Sequence, residues 1–346
     1  MPRKRRRTKI PTPAWEPTRG ALGRQFMGHS PRLYATLGII FLILAAVGIV
    51  GFAFGSDYWA DRQRPSSTAI QVGDSKYSLR YFTERLKMLV QQAGGPANQA
   101  AQQTAQAPGP EVAIPAIVDQ LVNETILLRF AQEMDVSATE DDIKNEIATL
   151  LGMAADDAGY DARFQEELSR SGLTEEEYKQ MIEAAVLRNK MAAELENDVP
   201  ASAESVHVRQ IVVSDLTAAD EIKQQVEQGA DFAKLATERS LDTTTKGSGG
   251  EAGWIPRGLF PQEAEDLLFS LAPGGVETFS TASGAVVFQA LEKADQAVEP
   301  SDKPAMAQRK LQDWLDEKRK QLDVRDLVSQ DQEKASWAIK RAYGVT

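Results

Sequence analysis

Val206-His207-Val208-Arg209-Gln210-Ile211-Val212-Val213 is a run of β-branched residues interleaved with polar ones, the composition of a half-buried strand. Ile222 and Val226 then stand one turn apart ahead of Gly229, which predicts a helix closed by glycine. Asp231 opens a second helix with Phe232, Leu235 and Ala236 on one face. The tract Ser240-Leu-Asp-Thr-Thr-Thr-Lys-Gly-Ser-Gly-Gly-Glu-Ala-Gly-Trp254 is too rich in glycine and polar residues for regular structure and reads as turns. A third helix is expected from Gln262 to Leu271, stopped by Pro273-Gly274-Gly275, and a closing strand over Ala285-Val-Val-Phe-Gln-Ala-Leu291.

Several short motifs recur here in a fixed order: Gly229-Ala-Asp-Phe-Ala-Lys-Leu-Ala236, Ser240-Leu-Asp242, Gly249-Gly-Glu-Ala-Gly-Trp254, Arg257-Gly258, Glu265-Asp266, Phe269 and Leu271-Ala-Pro-Gly274. Together they resemble the parvulin family of peptidyl-prolyl isomerases over about ninety residues, and the resemblance implies a parvulin-like domain over 204–295. Two histidines that usually mark the family's active site are replaced. Gln210 stands where the first strand normally carries one, and Val286 stands at the position of the second. His207 is no substitute, because alternation puts positions 207 and 210 on opposite faces of a strand. The resemblance leaves Asp242, Ser283 and Thr281 as polar members of the site. It places the proline pocket at Ala252, Phe260 and Ala264, with Trp254 as a further substrate-binding candidate. Isomerisation of this kind needs no metal or cofactor, only a site that favours a twisted amide over the planar one, whose barrier is ~18–20 kcal/mol.

The chain has 346 residues and no cysteine, which excludes disulfides, thiolate metal sites and cysteine nucleophiles. Its net charge of -11 conceals an asymmetry. Residues 1–32 carry nine Lys or Arg against Glu16, a net of +8, so the remainder carries -11 - 8 = -19. Arg3-Lys-Arg-Arg-Arg7 suits a nucleic-acid tail on charge alone. The segment 33–56 argues against that, for it holds no charged residue and is long enough to cross the ~30 Å hydrocarbon layer as a helix. We read 1–32 as a basic cytoplasmic tail, 33–56 as an uncleaved transmembrane anchor and 57–67 as a linker, with everything beyond Trp59 extracytoplasmic at a bacterial membrane. His29 and His207 then fall on opposite sides of the membrane, so no two-histidine hydrolytic site can form.

Residues 68–200 read as a strand followed by helices, interrupted over 94–115 by an Ala/Gln/Pro/Gly-rich stretch expected to be a mobile loop. Ile117 to Phe130 is a strongly apolar helix; Ser137-Ala-Thr-Glu140 and Thr174-Glu-Glu-Glu177 are capping-box patterns that open two more. This order, and the phrase Ser171-Gly-Leu-Thr-Glu-Glu-Glu-Tyr178, resemble the amino-terminal chaperone region of SurA- and PrsA-type foldases. Residues 300–346 hold an amphipathic helix in which Leu311, Trp314, Leu315 and Leu322 share a face apart from Met306, Lys310 and Asp313. By the same resemblance it packs back on the helices of 68–200.

The expected fold class is α+β: a membrane helix, a helical SurA-like domain, a parvulin-like domain with a small antiparallel sheet and surrounding helices, and carboxy-terminal helices. Three functions fit: a membrane-anchored foldase that isomerises X-Pro bonds in unfolded secreted chains, a holdase using the parvulin fold only to bind, and a structural subunit of an envelope complex.

Overall fold

The computed structural model describes residues 63–92, 108–281 and 283–344. The expected tail (1–32), membrane helix (33–56), most of the linker after them and residues 94–107 of the expected loop lie outside these. Among the described residues no helix is long and apolar enough to cross a membrane.

The first part is a hairpin, β1 (Thr68–Val72) and β2 (Ser75–Ser78), followed by helices α1 (Leu79–Gln92), α2 (Pro110–Phe130), α3 (Glu140–Leu150), α4 (Tyr160–Ser171) and α5 (Glu175–Asn197). Within the stretch 94–115 expected to be a loop, the residues from Pro110 onward are helical and open α2. Proline suits the first helical position, where the N–H has no helical partner. Pro115 removes one bond further in, but burial of Ala113, Ile114, Ile117 and Val118 around it compensates. The box that opens α3 pairs Thr139 with Asp142 rather than Ser137 with Glu140: the Thr139 side chain accepts from the Asp142 N–H, and the Asp142 carboxylate accepts from the Thr139 N–H. Thr174 and Glu177 cap α5 in the expected register.

The carboxy-terminal segment returns to this region as α9 (Lys303–Arg319), β7 (Val324–Asp326) and α10 (Gln332–Tyr343). β7 adds to β1 antiparallel, giving the order β2-β1-β7. α10 packs on α1, and α9 packs on α2 and α5. Leu311, Leu315, Val328, Trp337 and Ala338 thereby join the core that holds Phe82, Leu121, Ile126 and Met191.

Between these segments lies a four-stranded antiparallel sheet in the order β4-β3-β6-β5. It comprises β3 (Ser202–Val213), β4 (Glu251–Pro256), β5 (Val276–Thr281) and β6 (Gly284–Ala297), with helices α6 (Leu216–Glu227), α7 (Phe232–Arg239) and α8 (Gln262–Ser270). β4 falls in the tract read as turns. Its pairing with β3 supplies the order that its side chains do not, and a bulge beside Val208 and Arg209 accommodates the glycines. One face of the sheet, with Ile211, Val213, Ala285 and Val287, is covered by α6 and α7. On the other, Val206, Val208, Val286, Phe288 and Ala290 meet Leu268 and Phe269 of α8. The candidate site is on this second face.

Candidate functional site

Gln210 is held from both sides. Its N–H donates to the Gly250 carbonyl at 2.7 Å, and a side chain at Gly250, where φ is +85°, would press a Cβ to 2.6 Å from the Gln210 carbonyl oxygen. The loop after α7 is stapled to the same strand: the buried Ser240 hydroxyl accepts from the Val212 N–H, and the Leu241 N–H donates to the Val212 carbonyl. Asp242 is thereby brought alongside Gln210, whose Nε2 donates to Asp242 Oδ2 at 2.7 Å.

The rest of the Asp242 carboxylate is taken up locally. Thr245 Oγ1 donates to Oδ2 at 2.6 Å, while Thr244 gives its hydroxyl to Oδ1 at 2.6 Å and its N–H at 2.9 Å. Desolvation alone predicts from the sequence a raised pKa for this aspartate, and the structure reverses that expectation. The Thr244 hydroxyl first, then Thr245, the Thr244 N–H and Gln210, hold the carboxyl well below the ordinary carboxylate range. These donors favour the ionised form of Asp242.

Beside this polar end lies an aromatic wall. Gln210 and Phe288 are direct cross-strand partners. The Phe288 ring meets Phe279 edge-on at 5.6 Å and Phe260 at 6.2 Å. Val212, Ala252, Ile255 and Leu271 line the same cluster. Ala264 is half-buried on α8, one turn before Leu268 and on its side of the helix. Val286 is buried opposite Val212 and Phe279, diagonal to Gln210. Phe279 is not legible in the sequence because β5 (Val-Glu-Thr-Phe-Ser-Thr) lacks a strand's apolar alternation.

Not every sequence candidate converges here. Trp254 pairs with His207 across β3 and β4, on the opposite face from Gln210, and the two rings stack at 4.9 Å. His207 Nε2 lies 2.5 Å from Glu251 and its Nδ1 lies 3.5 Å from Glu292, so the lone described histidine sits between two carboxylates on the face away from Gln210. Ser283 is exposed in the turn before β6 and is not among the donors to Asp242.

The loop that carries Phe260 is fastened by Glu265. This buried carboxylate accepts from the Gly258 N–H at 2.5 Å and the Phe260 N–H at 3.1 Å. Arg257, at the loop's start, lies over the Phe269 ring at 4.0 Å and pairs with Glu204.

Two family models meet end to end on this architecture: residues 32–192 match a SurA-like N-terminal domain, and residues 197–294 match a PPIC-type PPIase domain. Both parts of the expected SurA/PrsA-like parvulin arrangement are thus matched, each by its own family model. Gln210, Asp242, Phe260, Phe279 and Phe288 all fall within the PPIC-type match. Among characterised relatives, the foldase protein PrsA of Caldanaerobacter subterraneus subsp. tengcongensis is 29% identical over 174 residues, 46% of this chain and 50% of that protein. PrsA of Geobacillus sp. (strain WCH70) is 28% identical, covering 46% of this chain and 56% of its own. PrsA 2 of Listeria innocua is 32% identical over 34% of this chain and 43% of its own. The chain spans about half the length of the curated relatives it matches.

Proposed function

We propose that this chain is a foldase anchored in a bacterial membrane by residues 33–56, with its described domains on the extracytoplasmic side. The parvulin-type domain binds proline-containing segments of unfolded secreted polypeptides and isomerises them slowly, and the SurA-like region, completed by residues 300–346, holds the same clients. The observation that carries this reading is the Gln210–Asp242 hydrogen bond set against the Phe260, Phe279 and Phe288 wall. In this reading the aromatic rings offer an apolar slot for the proline ring and the Gln210–Asp242 pair a polar end for the preceding carbonyl, without a titratable pair.

The chemistry asked of such a groove is modest. A planar amide carries negative charge on its oxygen, and twisting withdraws it. A fixed anion such as Asp242 near that oxygen therefore disfavours the planar form relative to the twisted one. What the groove lacks is a donor network that can reorganise as the bond turns, since Gln210 is committed to Asp242. Each ~1.4 kcal/mol of transition-state stabilisation lost slows turnover about tenfold, so binding outlasts catalysis.

The test is titration of the full chain with an Ala-Ala-Pro-Phe-type peptide and with a glycine-for-proline control, following quenching or chemical shifts at the groove. Saturable binding of the proline peptide, weakened by Phe288→Ala and absent with the control, is expected. Equal affinity for both peptides would overturn the reading of a proline groove.

A further inference from the structure

Two segments connect the parvulin-type domain to the rest of the described chain, one after α5 and one after β6, and they run side by side, the Val298 N–H donating to the Ala201 carbonyl. Val199 from the first and Val298 from the second are buried together with Met306 of α9, and Ala203 and Leu259 pack around them. Met306 therefore plugs the junction. Its neighbour Ala307, with Leu311 and Leu315, faces the other way into the helical core, as residues about 100° apart on a helix do. One helix thus carries two apolar stripes, one for each domain.

The parvulin-side contact falls on the loop that holds the pocket wall. Leu259 lies between Gly258 and Phe260, the two residues whose N–H groups Glu265 accepts. Gly258 adopts φ +100°, and a Cβ there would stand 3.2 Å from Met306 Cε. Arg309, one turn further along α9, pairs with Asp313 and is also within the electrostatic reach of Glu265. Its Nε is buried without a hydrogen-bond partner among the described residues.

We propose that Met306, seated on Gly258 and Leu259, is a positioning residue for the proline pocket: the helical domain, through the first turn of α9, fixes the loop that presents Phe260. The proposal rests on the proline-groove reading above. It makes the groove's affinity a property of both domains. A pocket side chain held in place before binding need not be ordered by each incoming peptide. Anything that lifts the first turn of α9 off Gly258 and Leu259 then changes how firmly the groove holds proline.

The experiment uses the full chain with Met306→Ala, the conservative Met306→Leu, and Leu315→Ala as a variant that damages only the helical-core stripe of α9. Proline-peptide Kd and amide hydrogen exchange over residues 257–260 are measured for each, with thermal melting alongside. Met306→Ala is expected to weaken peptide binding by about threefold to tenfold, the cost of re-ordering one or two side chains per binding event, and to speed exchange at Gly258 and Phe260. Met306→Leu should restore both. Leu315→Ala should lower the melting temperature and leave both unchanged. Unaltered exchange at 257–260 in Met306→Ala, or equal loosening in Leu315→Ala, overturns the proposal. A wild-type chain that binds no proline peptide refutes the groove reading instead, and the exchange data then still decide whether Met306 fixes the loop.

Discussion

Removing everything after Asp302 deletes α9, β7 and α10, and the structure sets the size of the effect. Leu311, Leu315 and Val328 are fully buried and Trp337 nearly so, all in the core they share with Phe82, Leu121 and Ile126. At about 1.5–3 kcal/mol for each large buried side chain, the four contribute about 6–12 kcal/mol, against about 5–15 kcal/mol for the whole stability of a typical domain. β1 also loses an edge partner, including the Leu327 N–H to Ala69 carbonyl bond. The helices before residue 200 should therefore cease to melt cooperatively, while the sheet of the parvulin-type domain, whose two cores draw on none of the deleted residues, stays folded. Urea titration followed by far-ultraviolet circular dichroism, with limited proteolysis to locate the surviving fragment, measures this. A truncated chain that retains its helical transition within about 2 kcal/mol of the full chain would refute the reasoning.

Other expectations follow from the groove and from the sequence. Gln210→His with Val286→His places two imidazoles diagonally across β3 and β6, and the pair should raise turnover more than the product of the single changes, since residues acting as a unit are non-additive; simple additivity in steady-state rates counts against it. Asp242 has a folded-state pKa below its unfolded value of about 3.9, so its contribution to stability is present above about pH 4 and is lost as pH falls through the folded value. Peptide affinity should then be flat from about pH 5 to about pH 8, and Asp242→Asn should flatten the acid limb of the stability profile; a titration of binding near neutrality would point to another group. Protease added outside intact cells should release Trp254-containing peptides while sparing the first 32 residues, and protection of those peptides would reverse the proposed orientation.

The sequence exposed some of this architecture and hid other parts for physical reasons. Ile222 with Val226, and Phe232 with Leu235, announce helices by their spacing, and Asp231 caps the second of them. β4 is hard to read because Gly253 and the bulge beside it interrupt alternation, and β5 because its Glu277 and Thr278 are polar residues bonded to Lys223 and Asp220 of α6. Phe279 went unrecognised with β5. The sign of the Asp242 shift follows from local donors rather than from desolvation, and Asp-Thr-Thr-Thr over 242–245 is the kind of sequence in which an aspartate caps its own turn. Met306 was correctly separated from the Leu311 face by helical spacing, but only the structure shows what it meets.

The central claim, a proline groove that binds well and turns over slowly, is tested most directly by the rate of cis–trans exchange of a single X-Pro peptide at saturating full-length chain. The same peptide is measured beside a parvulin that keeps both histidines. The account predicts saturable binding with exchange at least about tenfold slower than that reference, a loss of about 1.4 kcal/mol or more in transition-state stabilisation, and no residual acceleration in Asp242→Ala. Exchange as fast as the two-histidine reference would contradict it.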